Sequence, residues 1–241
     1  MPKAIYMEIY KVLKEKIETG VYEYQEMLPS ENVLIQEFDC SRNTIRRAIG
    51  ELVNEGYVQT MQGKGVRNIF QPSMQTTFVI GGIESFKESA QRNKQTAKTE
   101  VIQFVELTVD KKMAEKTGFI EGDEVYYLQR LHYLDDKPLI LNHNYFLKSV
   151  ATGLTKEIAE KSIYDYLENT LGVTIVNSKR VMTVEKMDQI DEKYMKLGDY
   201  NCLAVVSSQT YNSDGIMFEY TQSRHRPDYF RFQENATRRM G

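Results

Sequence analysis

Cysteine is nearly absent from this sequence. Cys40 and Cys202 are too few and too far apart for a disulfide framework or a zinc site, so a reducing compartment is expected. No apolar run approaches the roughly 18 residues that a membrane-spanning helix requires. The opening residues, MPKAIYMEIYKVLKEK, carry charges where a signal peptide places its apolar stretch. Positive charge is missing at the level of the whole chain: the net charge is −3, so no global basic field points to nucleic acid or an anionic membrane. Nucleophile motifs, metal-ligand spacings and phosphate-binding loops are also lacking, which argues against an enzyme and leaves no metal or cofactor to expect. What is there is ordinary globular composition, 41% apolar and 27% charged over 241 residues. That excludes collagen-like, wholly disordered and disulfide-scaffold classes. The length allows one large domain or two modest ones. The expectation is a cytoplasmic protein with no membrane partner.

A polar, proline-containing stretch without periodicity, Gln71-Pro72-Ser73-Met74-Gln75-Thr76-Thr77, reads as a linker over 71–77. It separates a first domain over 1–70 from a second over 78–241. The first domain opens with a helix over 5–19, where Ile5, Ile9, Val12, Leu13 and Ile17 share a face and Gly20 ends the run. Ser30 caps a second helix that buries Leu34, Ile35 and Phe38. Ser41 caps a third, whose Ile45, Ala48, Ile49, Leu52 and Val53 repeat with helical spacing until Gly56. Two short strands follow, over 57–61 and 66–70, joined by Gln62-Gly63-Lys64-Gly65. Only Asp39-Cys40-Ser41 separates the second and third helices. That spacing fits a helix-turn-helix, and the glycine-rich hairpin behind it fits a wing.

Local charge reverses the global value here. Between Ser41 and Phe70, Arg42, Arg46, Arg47, Lys64 and Arg67 stand against only Glu51 and Glu55. Residues 1–40 hold four lysines and eight acids. Positive charge therefore gathers on the third helix and the wing, where a DNA-reading element meets phosphates. Arg42 and Arg46 lie one turn apart, away from the Ile45/Ile49 face. Each can fork onto guanine or clamp a phosphate. Ser41, Asn43 and Thr44 lie close enough to add base or phosphate contacts. Gly63 and Gly65 allow a tight turn from which Lys64 can reach a groove or the backbone.

The segment LPSENVLIQEFDCSRNTIRRAIGELVNEGYVQTMQGKGVRNIF, over 28–70, resembles the winged helix-turn-helix of the bacterial GntR repressors. The LPSE, SRxTIRRAI, EGYV and GKG elements stand in order. The resemblance implies DNA contacts from Ser30, Arg42, Thr44, Arg46, Gly63, Lys64 and Gly65. Many members place an arginine after LPSE, where this chain has Asn32.

In the second domain, residues 124–134 read as a strand, Asp135-Asp136-Lys137-Pro138 as its turn and 139–146 as the return. With a period of two, Tyr126, Leu128, Arg130, His132 and Leu134 share one face. Two basic side chains on a mostly apolar face are costly unless an anion pairs with them, either a ligand or an internal carboxylate. Ser162 is a natural cap for a helix over 163–171 that Gly172 ends. It either only caps, or stands where free amides meet a phosphate. A hairpin runs from Cys202–Asn212 through Ser213-Asp214-Gly215 to 216–225. On its second strand Glu219, Thr221, Ser223 and His225 share one face, and Tyr220, Gln222 and Arg224 the other. The fold class is α+β.

This half is similar to the UTRA effector domain of the HutC branch of the same family, a mixed α/β domain that shares its fold with chorismate lyase. The matching segments are SFKE at 85–88, VYYLQRLHYLDDKPLILNHNYF at 125–146, SIYDYL at 162–167 and FEYTQSRHRPDYFRF at 218–232. The resemblance implies a sugar-phosphate effector. Arg130, His132 and Ser162 would take the phosphate, with His132 standing where relatives often carry arginine. Glu219 and His225 would meet sugar hydroxyls, with Asn142 placed where relatives often carry glutamate. Ser85 and Lys87 would close the pocket, and Arg226 with Asp228 would form a structural pair. GGIESFKE, RVMTVEK and YTQSRHRPDYF further resemble the repressors of trehalose operons. That implies trehalose 6-phosphate as effector, loosening a homodimer from double-stranded operator DNA. Three alternatives compete: a UTRA regulator of another sugar- or amino-sugar-phosphate pathway, an enzyme of the chorismate-lyase fold using Glu219 and His225 as acid and base, and an interaction module using some of the 16 tyrosines.

Overall fold

Three amphipathic helices open the computed structural model, which describes residues 2–71, 78–79 and 83–233. They are α1 (Pro2–Glu18), α2 (Glu31–Phe38) and α3 (Arg42–Asn54). The described residues fall into two compact units, one over 2–71 and the other over 78–79 and 83–232. Residues 72–77 of the expected linker and 234–241 of the expected second domain lie outside the described residues.

The core of the first unit joins Leu13 and Ile17 of α1 to Leu34 of α2 and to Ile45, Ala48, Ile49 and Leu52 of α3. The buried stripe of α1 differs from the expected one. Tyr6, Ile9 and Tyr10 are buried, whereas Ile5 and Val12 are 49% and 39% exposed. Each exposed residue sits one position, about 100° of rotation, off the stripe. Tyr10 can take the core place because its hydroxyl reaches Glu55 Oε1 at 2.5 Å while its ring packs inside. Ser30 and Ser41 cap α2 and α3 as the sequence predicts, accepting from the Val33 and Thr44 amides. Asp39, left-handed at φ +44°, makes the sharp turn between the two helices. Strands β1 (Val58–Met61) and β2 (Gly65–Asn68) pair antiparallel, with Met61 opposite Gly65. Gly65, at φ +112°, takes a backbone conformation that strains any other residue, and a Cβ there would lie 2.9 Å from Met27 Cε and push that methyl aside.

The second unit follows the order β3 (Phe78–Val79), α4 (Phe86–Arg92), β4 (Ala97–Thr108), α5 (Lys111–Thr117), β5 (Glu124–Leu134) and β6 (Lys137–Leu147). It continues with α6 (Lys156–Ala159), α7 (Ile163–Asp165), β7 (Ile175–Lys186), α8 (Gln189–Met195), β8 (Cys202–Asn212), β9 (Met217–His225) and β10 (Phe232–Gln233). Six strands form one antiparallel sheet in the order β4-β5-β6-β9-β8-β7. Asp135 and Asp136, both left-handed, make the tight β5–β6 turn. The helix expected over 163–171 is short. After Asp165 the chain widens into a π turn over Tyr166–Thr170, closed by the Leu171 amide on the Tyr166 carbonyl. Residues of α4, α6 and α7 pack on one face of the sheet, and residues of α5 and α8 pack on the other. No helix among the described residues is long and apolar enough to cross a membrane.

Candidate functional site

In the first unit the residues expected to meet DNA occupy exposed positions. Arg42, Asn43 and Arg46 project from the first turns of α3, and Lys64 stands between Gly63 and Gly65 at the tip of the hairpin. Ser30 and Ser41 are exposed beside the helix starts that they cap. Thr44 is half-buried, with its hydroxyl 2.8 Å from that of Ser41. Arg47 belongs elsewhere: its guanidinium lies over the Tyr6 ring, 4.0 Å from the centroid. Sequence reasoning missed Glu31. Its Oε1 accepts from Arg46 Nε at 2.9 Å and holds that guanidinium above its ordinary pKa, first through the hydrogen bond.

In the second unit, sheet register does what no single strand can. It lays polar side chains from separate strands in rows across the face that α4 and α7 cover. His132 pairs with Ile140, which pairs with His225; Arg130 pairs with Asn142, which pairs with Ser223. In the next rows Asn144 stands opposite Thr221, and Phe146 opposite Glu219. Above these rows lies a cavity of about 170 Å³. Ser85, Lys87, Arg130, His132, Asn142, Ser162, Glu219 and His225 all line it.

A hydrogen-bond relay crosses the cavity floor. Arg130 Nε donates to Asn144 Oδ1 at 2.8 Å, and Asn144 Nδ2 donates to Thr221 Oγ1 at 2.6 Å. The Thr221 hydroxyl and the Tyr164 hydroxyl each donate to a Glu219 oxygen at 2.7 Å. Among the described residues Arg130 makes no ion pair, so the internal carboxylate considered from the sequence, Glu219, is linked to it by this relay and by charge at a distance rather than by a direct bond. Burial pushes its pKa down to about 10, and the charge of Glu219 works the other way.

His132 departs from its expected part as a second cation. Burial first, then the charges of Arg130 and His225, hold its pKa well below the usual histidine range. The neutral ring is fully engaged: Asn142 Nδ2 lies 2.9 Å from Nε2, and Thr99 Oγ1 lies 2.9 Å from Nδ1. The Phe86 ring packs on it at 4.4 Å. An amide donating to Nε2 leaves the ring proton on Nδ1, facing Thr99. Asn142 Oδ1 is then buried without a partner, as is the hydroxyl of Ser89 on α4. Burial likewise pushes His225 down to about 3. With these two rings neutral and buried, Arg130, Lys87, Lys161 and Arg180 are the positive groups that line the cavity among the described residues.

Ser85 caps α4 in a reciprocal box with Glu88, and Ser162 accepts from the Asp165 amide at 3.3 Å. Arg226 and Asp228 form the structural pair expected of them, through two bonds of 3.1 and 2.9 Å. Asn144, Tyr164, Thr99, Ser89 and Arg180 line the cavity but were not singled out from the sequence. A period of two on β6 carries Asn142 to Asn144 and could have found that residue. Arg180 lies on β7, at the far edge of the sheet, and only register brings it in.

Comparison with known proteins agrees with both halves. Residues 5–67 match the family described as bacterial regulatory proteins, gntR family, and residues 92–231 match the UTRA domain. The chain is similar to the HTH-type transcriptional regulator TreR of Bacillus subtilis, 34% identical over 97% of each chain. It is 24% identical, over 98% of each chain, to the mannosyl-D-glycerate transport/metabolism system repressor MngR of Escherichia coli. The crystal structure of the possible regulator YydK of B. subtilis has the same fold, with a TM-score of 0.82 at 21% identity over 97% of this chain and 99% of that one. The effector-binding domain of the B. subtilis trehalose repressor superposes with a TM-score of 0.54 at 31% identity, over 59% of this chain and 99% of that domain.

Proposed function

This chain belongs to the GntR family of bacterial regulatory proteins and carries a UTRA domain, and from that premise we propose that it is a transcriptional repressor released from its operator by a phosphorylated sugar, trehalose 6-phosphate. One observation carries the anionic half of that ligand. Arg130 faces the cavity from β5, half-buried, with its pKa lowered by burial and without an ion-pair partner among the described residues. A cation so placed is costly until an anion meets it. The sugar half rests on the neutral groups around it: Glu219 retains free lone pairs on oxygens that already accept two hydroxyls, and Asn142 Oδ1 and the Ser89 hydroxyl lack partners. Similarity to a trehalose repressor supports trehalose as the sugar.

The working form is a homodimer held through residues 78–241 and reading a two-fold operator, because one winged helix covers too few bases for useful specificity. Ligand that fits one arrangement of the dimer shifts the population toward it. Calorimetric titration tests the ligand. Trehalose 6-phosphate binds the full chain far more tightly than trehalose, inorganic phosphate or glucose 6-phosphate. At a hundredfold excess over its dissociation constant it stabilises the second unit by about 2.7 kcal/mol. Arg130→Ala removes the preference for the phosphorylated sugar. Equal binding of trehalose and its phosphate by the unaltered chain would contradict the assignment.

A further inference from the structure

The cavity runs on past the groups that would meet a phosphate, toward the far edge of the sheet. Arg130 on β5 stands opposite Asn142 on β6, and Asn142 opposite Ser223 on β9. One row along, Thr221 on β9 stands opposite Ser208 on β8, and Ser208 opposite Arg180 on β7. Ser223, Ser208 and Arg180 all line the cavity, and among the described residues the Ser223 and Ser208 hydroxyls make no hydrogen bond. We propose that Ser208 and Arg180 form the subsite for the sugar ring remote from the phosphate, with Arg180 the residue that sets specificity for that ring.

Sheet order separates the two ends. β5 and β7 are four strand spacings apart, about 19 Å, and β9, which carries Glu219, is the middle strand of the five. Arg130 and Arg180 therefore enter the cavity from either side of Glu219. The electrostatics agree. Burial first, and then Glu219, hold the Tyr164 hydroxyl well above its ordinary pKa, while the charge of Arg180 works the other way. Arg180 thus reaches the part of the cavity where Tyr164 meets Glu219, and Arg130 feels Glu219 from the opposite side.

The chemistry of the far end suits a neutral ring. A guanidinium donates from several nitrogens in one plane and accepts nothing, so it can meet neighbouring hydroxyl oxygens together. A serine hydroxyl both donates and accepts, which completes the exchange with a sugar hydroxyl. Polar groups closed off from water without partners are costly, and a ring carrying a donor and an acceptor on every hydroxyl relieves Ser223 and Ser208 at once. The subsite rests on the sugar-phosphate ligand of the proposed function, and the two fail differently below.

Displacement calorimetry of the full chain compares trehalose 6-phosphate with four analogues, each lacking one hydroxyl of the unphosphorylated ring. At least one analogue binds the unaltered chain about tenfold or more weakly, the loss of one hydrogen bond to a charged group. Arg180→Ala binds trehalose 6-phosphate more weakly by a similar factor and no longer distinguishes it from that analogue. It keeps the preference for trehalose 6-phosphate over trehalose, which Arg130→Ala erases. Ser208→Ala removes a single oxygen and serves if Arg180→Ala fails to fold; it too narrows the difference between parent and analogue. The inference is overturned if no hydroxyl of the unphosphorylated ring matters to the unaltered chain. It is overturned equally if both variants leave the cost of every missing hydroxyl as it was, or if Arg180→Ala loses the preference for the phosphorylated sugar. If the unaltered chain binds trehalose 6-phosphate no better than trehalose, the proposed ligand itself fails and takes the subsite with it.

Discussion

The two units carry their charges in opposite ways. In the first, Arg42 and Arg46 stand on an open helix face with side chains 55% and 59% exposed, tethered by an acid and an amide of the neighbouring helix. In the second, Arg130, His132, Glu219 and His225 lie against the sheet within a shared cavity. Exposed guanidinium groups on flexible stems can shift to meet a base or a phosphate, and their ion pairs add little to stability. A buried polar array is arranged for one ligand shape, and each member left without a partner weakens the fold itself. Substitutions in the reading head should therefore alter binding and spare folding, whereas the ligand-binding half couples the two.

The largest expected effect lies on the sheet face opposite the cavity. Arg224 donates to Asp191 through Nε and Nη2, to Glu185 through Nη1 and to the Lys186 carbonyl. Burial works against the charge of Arg224, but the two carboxylates outweigh it and hold the guanidinium above its ordinary pKa. Asp191 is fully buried. Asp191→Ala leaves a buried cation short of its main partner and should destabilise the second unit by about 3–5 kcal/mol. Calorimetric unfolding checks this: the transition of the second unit falls while that of the first stays. A fall in both transitions would break the contrast.

Acidification should separate the units next. All three histidines lie in the second unit, and burial lowers the pKa of each. A histidine kept neutral when folded binds a proton more readily unfolded, so stability is full above the unfolded pKa and declines as pH falls below it. Between pH 6.5 and the folded value, which is about 3 for His225, each buried ring removes about 1.4 kcal/mol per pH unit. Melting from pH 7 to pH 5 should lower the second transition by the summed effect of His132 and His225. The first unit contains no histidine to respond in this way. Equal pH dependence of the two transitions would contradict neutral histidines in the cavity.

The smallest effect on folding, with a clear effect on function, belongs to Arg46→Ala. Melting temperature should remain within error of the unaltered chain while operator affinity falls about tenfold or more. A normal gel shift from this variant would remove α3 from the reading role.

The same contrast explains how far the sequence could be read. Helix caps, turn glycines and apolar periodicity are local, so Ser30, Ser41 and the Ile45–Leu52 stripe follow from neighbouring residues. On α1 the core places go to Tyr6 and Tyr10, whose rings are apolar enough to fill them, so a stripe of aliphatic residues alone does not mark the buried face. Strand periodicity is local too, and it put Arg130 with His132 and Glu219 with His225 on common faces. The relay through Asn144, Thr221 and Tyr164 is not local. It depends on β6 pairing with β9, across about 75 residues of chain that no periodicity measures. The neutrality of His132 also waits on three dimensions, because burial decides it. Glu31 was missed for the same reason: its partner lies fifteen residues along the chain, on another helix.

An anion seated on Arg130 is expected to govern the DNA affinity of a separate unit. Anisotropy of the full chain on an operator duplex that it selects from a random-sequence pool, with trehalose 6-phosphate titrated in, tests this most directly. Operator affinity should fall about tenfold or more, within the usual range of coupling between sites. Trehalose or inorganic phosphate at the same concentration should not release the DNA. Arg130→Ala should bind the duplex like the unaltered chain and stay bound throughout the titration. Release of the Arg130→Ala variant at the same trehalose 6-phosphate concentration as the unaltered chain would contradict the claim.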